Sequence, residues 1–146
     1  MFKATTVQGV FAVLSATSVL ASPGVASAVN SLEFKTPSGN IFCHANDGEY
    51  ASVRCDIGEF SYTPPQPTEH CGVIFGHTVG LRPGERPQFD CAHDTMAYDQ
   101  GVPVLGYGAS TSVGSFTCNS SEQGVHCVDH DSGHSFLLSR DSYQFN

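Results

Sequence analysis

Short apolar or alternating runs separated by turn-forming residues dominate the chain after residue 28. No window places apolar residues at positions i, i+3, i+4 and i+7 between a helix cap and a helix stop, which argues against helices there. Runs of about four to eight residues bounded by Gly, Pro, Asn, Asp and Ser are typical of β-strands. Eight strands are predicted, at residues 32–36, 40–44, 51–57, 72–75, 87–91, 113–118, 124–128 and 135–139.

The spacing of these strands predicts an all-β fold. Turn clusters at residues 37–40, 63–67 and 131–133 punctuate the runs, as expected where short strands pair antiparallel with their neighbours. We therefore expect an antiparallel sandwich or barrel of about eight short strands. The pattern does not distinguish between these two architectures.

A weak internal repeat also runs through the chain. Two units, at residues 38–56 and 113–129, each run from a glycine through a strand and a cysteine to a polar turn and a Val-x-Cys triplet. One interpretation is a duplicated hairpin related by a pseudo-twofold axis. The other is the general similarity between any two hairpins that carry a disulfide, and the sequence leaves both interpretations open.

Residues 1–28 are predicted to be a cleaved export signal. A mostly apolar run over residues 7–20 precedes the triplet 26–28, Ala-Ser-Ala, which fits an A-x-A cleavage site. The apolar run is shorter than the roughly 20 residues that span a bilayer, so a membrane anchor is not favoured. We expect a mature single β domain at residues 29–146, located outside the cell or in the cell envelope, with no membrane span after cleavage.

Composition and charge narrow the class of partner. The 146 residues include 14 Asp and Glu against 6 Lys and Arg, which gives a net charge of −8. Nucleic-acid binding requires a basic stripe that neutralises phosphates, so no nucleic-acid partner is expected. With 40% apolar and 14% charged residues, the chain resembles neither a disordered tail nor a coiled coil.

Six cysteines in a short exported chain predict a framework of three disulfides. Two cysteine pairs flank turn-rich segments, where the opposed strands of a hairpin already approach disulfide distance. The third pair then follows by elimination. Zinc–thiolate binding is the rival interpretation, but no C-x2-C pair occurs. The predicted pairs are Cys43 with Cys55, Cys71 with Cys91, and Cys118 with Cys127.

Three histidines spaced four residues apart are the weak candidates for a metal site. On a helix, His126, His130 and His134 would lie on one face and suit zinc or copper. The residues between them are poor helix formers, and Asp131-Ser132-Gly133 indicates a turn. We therefore expect no metal and no other cofactor. A metal-binding or hydrolytic secreted protein that uses these histidines remains the alternative function.

The longest stretch without a strand pattern, residues 92–112, is the candidate binding segment. It carries Tyr98 and Tyr107 among glycines, and loops of this length in compact domains are usually functional or mobile. Exposed tyrosines there would contact a protein or a glycan partner. The alternative is that the segment folds inward as a lid over the core. No catalytic residues are predicted, and an interaction module is favoured over an enzyme.

Four segments of the sequence stand out, namely residues 34–41, residues 105–108 followed by 116–118, residues 124–127 and residues 133–140. Together they resemble a family of small exported actinobacterial domains of unknown function. The resemblance extends over residues 33–143 and implies export and a disulfide-linked β domain. It implies no catalytic residues. The sequence departs from the family pattern at Gly106 and Ser135, where proline and glycine are expected.

Overall fold

The computed structural model describes residues 30–67, 71–72, 74–96 and 101–146, so the predicted export signal lies outside the described residues. These residues form ten β-strands in two sheets. They contain no helix long and apolar enough to cross a membrane. The first sheet contains β1 (Ser31–Lys35), β2 (Ile41–Asn46), β3 (Ser52–Ile57), β4 (Thr78–Leu81) and β5 (Gln88–Phe89). The second contains β6 (Ser110–Val113), β7 (Phe116–Ser121), β8 (Gly124–Asp129), β9 (Ser135–Leu138) and β10 (Tyr143–Phe145).

Each sheet is a five-stranded meander in which every strand pairs antiparallel with its neighbours along the chain. Apolar residues of both sheets meet in a single buried cluster. The alternation along β7 shows why, since Phe116 and Cys118 are buried while Asn119 is exposed. The predicted all-β antiparallel fold is confirmed, and the arrangement is sandwich-like, with ten strands rather than eight.

The strand predicted at residues 72–75 is wrong. Phe75 lies in a turn, where its N–H donates to the carbonyl of Gly72 (3.2 Å), and the strand of this region begins at Thr78. The ring of Phe75 packs against that of Phe89, with centroids 5.9 Å apart. The apolar run therefore marks a turn that covers the core, which periodicity cannot distinguish from a short buried strand.

Besides β4, two further strands were not predicted from the sequence. β6 lies partly inside the segment 92–112 that was expected to be a loop, and its first three residues are Ser, Thr and Ser. β10 consists of only three residues. Both are edge strands, which do not require the apolar alternation of a strand buried between two neighbours.

The topology favours the duplication interpretation of the internal repeat. In each meander a disulfide joins the second strand to the third at directly opposed positions. A row of paired residues runs through each disulfide and crosses all five strands. The rows are Phe34–Cys43–Cys55–Val79–Phe89 and Thr111–Cys118–Cys127–Phe136–Phe145.

The three predicted disulfides are present, and they differ in burial. The two hairpin disulfides are part of the buried core. The third joins Cys71, which is half-buried, to Cys91, which is exposed. It therefore connects surface segments of the first sheet and lies outside the core.

The two meanders place different turns at the two ends of the sandwich. One end, which we call the cleft end, carries the turn between β1 and β2 from one sheet beside the turns that follow β7 and β9 from the other. The N–H of Ser61 donates to the carbonyl of Arg140 (2.8 Å) and ties the sheets together there. The other end, the closed end, carries the turns at residues 47–51, 82–87, 114–115 and 130–134.

Candidate functional site

A concave polar site of about 620 Å3 opens at the cleft end. The first sheet contributes the β1–β2 turn and the two residues after β3, and the second contributes the β7–β8 turn and the two residues after β9. Tyr107 completes the lining. We call this site the polar cleft. Its volume lies within the range of about 300–1,000 Å3 that is typical of small-ligand sites.

Tyr107 is held in a tight turn just before β6. The N–H of Ala109 donates to the carbonyl of Gly106 (3.0 Å), and Gly108 has a φ of +85°. A positive φ at the third position is typical of a type II turn, and glycine adopts it without steric cost. The N–H of Gly108 also donates to the carbonyl of Ser120 (2.8 Å), which fixes the turn to β7.

The β1–β2 turn is closed by its own hydrogen bonds. The N–H of Gly39 donates to the carbonyl of Thr36 (2.9 Å), and the N–H of Thr36 donates to the carbonyl of Ile41 (2.9 Å). Pro37 occupies the second position of this turn, where its fixed φ is favourable. Local sequence therefore sets the shape of this wall of the polar cleft.

Asn40 connects this turn to the residues that follow β3. Its amide oxygen accepts from the N–H of Glu59 (2.7 Å), and its amide nitrogen donates to the carbonyl of the same residue (2.9 Å). The N–H of Gly58 donates to the carbonyl of Asn40 (2.8 Å). These three bonds fix the backbone of Glu59 and present its side chain to the polar cleft.

Arg140 lies across the polar cleft from the first sheet and forms an ion pair with Glu59. The guanidinium Nη2 lies 3.4 Å from the carboxylate Oε2, and both side chains are largely exposed. Glu122, in the β7–β8 turn, adds a second carboxylate to the lining. The lining thus combines one guanidinium, two carboxylates, an aromatic ring and several serine and threonine hydroxyls.

At the closed end the turns of the two sheets approach each other closely. A side chain at Gly114 would place its Cβ only 2.7 Å from the Cβ of Asp47, so the β6–β7 turn already touches the β2–β3 turn. The N–H of His130 donates to the carbonyl of Ser115 (2.9 Å). The β6–β7 and β2–β3 turns of the two sheets therefore lie in direct contact at this end.

The buried carboxylate of Asp129 accepts hydrogen bonds from several turns of the closed end. Burial of its carboxyl acts to raise its pKa, but hydrogen bonds from Ser132, Ser115 and the backbone N–H groups of Asp131 and Gly84 outweigh burial and lower the pKa to about 2. The bond from Ser132 is 2.6 Å long and that from Gly84 is 3.3 Å long. Because Gly84 follows β4 of the first sheet, this carboxylate also links the two sheets.

The three candidate metal-ligating histidines do not come together. His126 lies on β8, His130 pairs its Nε2 with the hydroxyl of Thr117 (3.0 Å), and His134 pairs its Nδ1 with the carbonyl of Asn146 (3.2 Å). Within the described ranges, no group of three or more His, Cys, Asp or Glu side chains is arranged to hold a metal ion. The three histidines lie on a strand and in the turn that follows it rather than on one helix, so the helical spacing that motivated this alternative does not apply.

Part of the segment 92–112 packs along the edge of β1, and another part, at Tyr107, lines the polar cleft. The N–H of Lys35 donates to the carbonyl of Pro103 and the N–H of Leu105 donates to the carbonyl of Lys35, both at 2.9 Å. Val102 is buried. The segment therefore runs along the edge of β1 before it reaches the turn that holds Tyr107.

An ion-pair network that the sequence analysis missed anchors the start of this segment. The carboxylate of Asp56, fully buried on β3, accepts from Arg54 Nε and Nη2 (both 2.9 Å), from the hydroxyl of Thr78 (2.9 Å) and from the N–H of Met96 (2.8 Å). Arg54 also donates to the carbonyl of Asp94 (2.9 Å). Hydrogen bonding to Asp56 raises the pKa of Arg54.

Of the two tyrosines predicted as binding residues, only Tyr107 lies within the described part of the chain. Tyr107 lies in the lining of the polar cleft with 46% of its surface exposed, whereas Tyr98 lies outside the described residues. Sequence reasoning missed Asn40, Glu59 and Arg140. Asn40 and Arg140 lie within segments that carry the family resemblance, but no local pattern indicates that they meet.

The chain was compared with known protein families, curated proteins and solved structures. Residues 12–145 match the model of a family described as "Family of unknown function (DUF6636)". No curated protein and no solved structure matches the chain.

Proposed function

The chain belongs to this family of unknown function, and we propose that it acts as an exported binding module that takes its ligand in the polar cleft. The family description assigns no activity, so the proposal rests on the chemistry of the lining residues. Export, a location outside the cell or in the cell envelope, and the actinobacterial origin that the resemblance implies are parts of the same proposal.

The observation that carries the proposal is the position of Tyr107. A large aromatic side chain is 46% exposed in the lining of a concave site built by both sheets. Partly exposed tyrosines on a rigid scaffold are favourable anchors, because the ring supplies contact area at a low cost in conformational entropy. Glu59 and Arg140 lie in the same lining and supply directional polar contacts.

The covalent framework supports the proposed location. Three disulfides in a domain of this size are compatible with an extracellular environment, because disulfides form and persist in oxidising compartments. The two hairpin disulfides also hold the strands that carry the cleft walls, so little conformational entropy is lost when a ligand binds.

The binding proposal is tested by nuclear magnetic resonance of the 15N-labelled mature protein. The protein is titrated separately with the polysaccharide and the protein fractions of a cell-surface extract. We expect shifts of the amides of Gly39, Gly108 and Gly124, which line or flank the polar cleft, and loss of these shifts in Tyr107→Ala. Tyr50→Ala serves as the control, since Tyr50 is 83% exposed and lies in the β2–β3 turn at the closed end. Shifts confined to the closed end would contradict the proposal.

Export is tested by the intact mass of the protein recovered outside the cell. We expect a chain that begins at Val29, because cleavage after Ala28 follows the A-x-A pattern. A recovered chain that retains residues 1–28 would contradict the cleaved-signal part of the proposal without affecting the cleft.

A further inference from the structure

We propose that the polar cleft recognises a neutral, polyhydroxylated ligand, namely a short stretch of a glycan. This inference rests on the proposed binding function and specifies the class of ligand. It follows from the charge of the lining residues, the accessibility of their polar atoms and the surroundings of Tyr107.

The charge of the polar cleft disfavours an anionic ligand. The lining contains one guanidinium, from Arg140, and two carboxylates, from Glu59 and Glu122. The guanidinium is already paired with Glu59 at 3.4 Å, and the whole chain carries a net charge of −8. A phosphate or carboxylate ligand would therefore have to displace Glu59 against an unfavourable surrounding potential.

A neutral polyol can use both halves of this ion pair at once. Arg140 is 67% exposed and Glu59 is 76% exposed, so each retains atoms that are accessible to a ligand. A guanidinium only donates and a carboxylate only accepts hydrogen bonds, whereas a hydroxyl group does both. Neighbouring hydroxyls of one sugar ring therefore match Arg140 and Glu59 together. A charged ligand matches only one of the two.

The surroundings of Tyr107 leave its ring accessible for stacking. Tyr107 is 46% exposed, and a Cβ added at Gly106 or Gly108 would meet no heavy atom of a non-adjacent residue within 4 Å. The C–H face of a sugar ring is apolar and packs on an aromatic face, while its hydroxyls point toward the polar walls. The fixed turns on either side limit the entropy lost on binding.

The proposal is tested with purified linear tetrasaccharides of glucose, galactose, mannose and N-acetylglucosamine, and with a lysine-rich octapeptide. Binding to the disulfide-intact mature protein is measured at low and high salt. We expect a dissociation constant of about 1 mM or below for at least one tetrasaccharide. The affinity should change less than about twofold with salt, because a neutral ligand has no charge to screen. Tyr107→Ala should lower it by about tenfold or more, Arg140→Gln should also lower it, and Tyr50→Ala should leave it unchanged.

The alternative outcomes separate the glycan inference from the binding proposal. Salt-sensitive binding of the octapeptide that requires Tyr107, without binding of any tetrasaccharide, would overturn the glycan inference and leave the binding function intact. Tetrasaccharide binding that Tyr107→Ala does not alter would also overturn it, because the ligand would then occupy another surface. The folding of each variant is checked by its thermal unfolding temperature.

Discussion

The side-chain amide of Asn40 forms two hydrogen bonds with the backbone of Glu59: it accepts from the N–H at 2.7 Å and donates to the carbonyl at 2.9 Å. The two residues are 19 positions apart and belong to the ends of neighbouring strands. This relationship determines where the carboxylate of Glu59 meets Arg140. Asn40 is therefore a positioning residue of the polar cleft.

Asn40→Ala should weaken both the fold and ligand binding. Removal of the two hydrogen bonds of the Asn40 side chain should lower the free energy of unfolding by about 1–2 kcal/mol. It should also reduce ligand binding, although Tyr107 itself is unchanged. Urea unfolding and the tetrasaccharide titration measure the two effects. Asn119→Ala, on the exposed face of β7, is the matched control and should leave binding unchanged. Equal loss of binding in both variants would refute a specific role for Asn40.

Gly108→Ala should disturb the turn that holds Tyr107, whereas Gly106→Ala should not. Space is available for a Cβ at both positions, but only Gly108 has a positive φ, of +85°. An L-residue in that conformation costs about 1–2 kcal/mol. We expect this loss of stability, together with weaker binding, for Gly108→Ala alone. Thermal unfolding of the two variants side by side provides the measurement, and identical stabilities would contradict the turn assignment.

Asp56→Asn should be among the more destabilising single changes. It removes the buried carboxylate charge that pairs with Arg54, which keeps only its ion pair with Asp94, and loss of such charged hydrogen bonds costs about 1.5–3 kcal/mol. It should also release the start of the segment 92–112, detectable as faster hydrogen exchange at Met96. Asp90→Asn breaks the more exposed pair with Arg82 and should cost about 1 kcal/mol or less. If the two variants prove equally stable, the Asp56 network does not anchor the segment.

The carboxyl of Asp129 should make the protein less stable in strong acid. Its pKa of about 2 in the folded protein lies below the value of about 3.9 expected in the unfolded chain. The stabilisation, about 2 kcal/mol, is therefore fully present above about pH 4 and is lost as the pH falls through about 2.

Denaturant unfolding at pH 7 and at pH 2 tests this assignment. The difference between the two stabilities should shrink by about 2 kcal/mol in Asp129→Asn, because an amide does not titrate. Asp131→Asn, at the exposed neighbouring carboxyl, should preserve the difference. An unchanged pH dependence in Asp129→Asn would assign the acid sensitivity to other groups.

The disulfide between Cys71 and Cys91 should be reduced first. Cys91 is exposed, whereas the four other paired cysteines are no more than 2% exposed, and access limits attack on a disulfide. Alkylation and peptide mapping during mild reduction of the folded protein give the order. In denaturant the preference should disappear, because all six cysteines are then accessible. Earlier reduction of Cys43–Cys55 in the folded protein would contradict this prediction.

Local patterns were sufficient for the fold class and the covalent framework. Alternating apolar positions and turn residues predict antiparallel strands because side chains in a strand point to opposite faces in turn. A hairpin also brings two nearby cysteines face to face, so the Cys43–Cys55 and Cys118–Cys127 pairs followed from spacing. The same local reasoning failed at Phe75, where an apolar side chain covers the core from a turn.

The polar cleft is decided by tertiary structure. Tyr107 was identified from the sequence as a candidate binding residue. Glu59 and Arg140, which line the same cleft and form an ion pair, are 81 positions apart and follow strands of different sheets. Their proximity depends on how the two meanders pack, which brings the residues after β3 beside those after β9. Periodicity specifies which face of a strand is buried. It contains no information on which turns of two separate sheets meet, because that is set by the packing of the whole core.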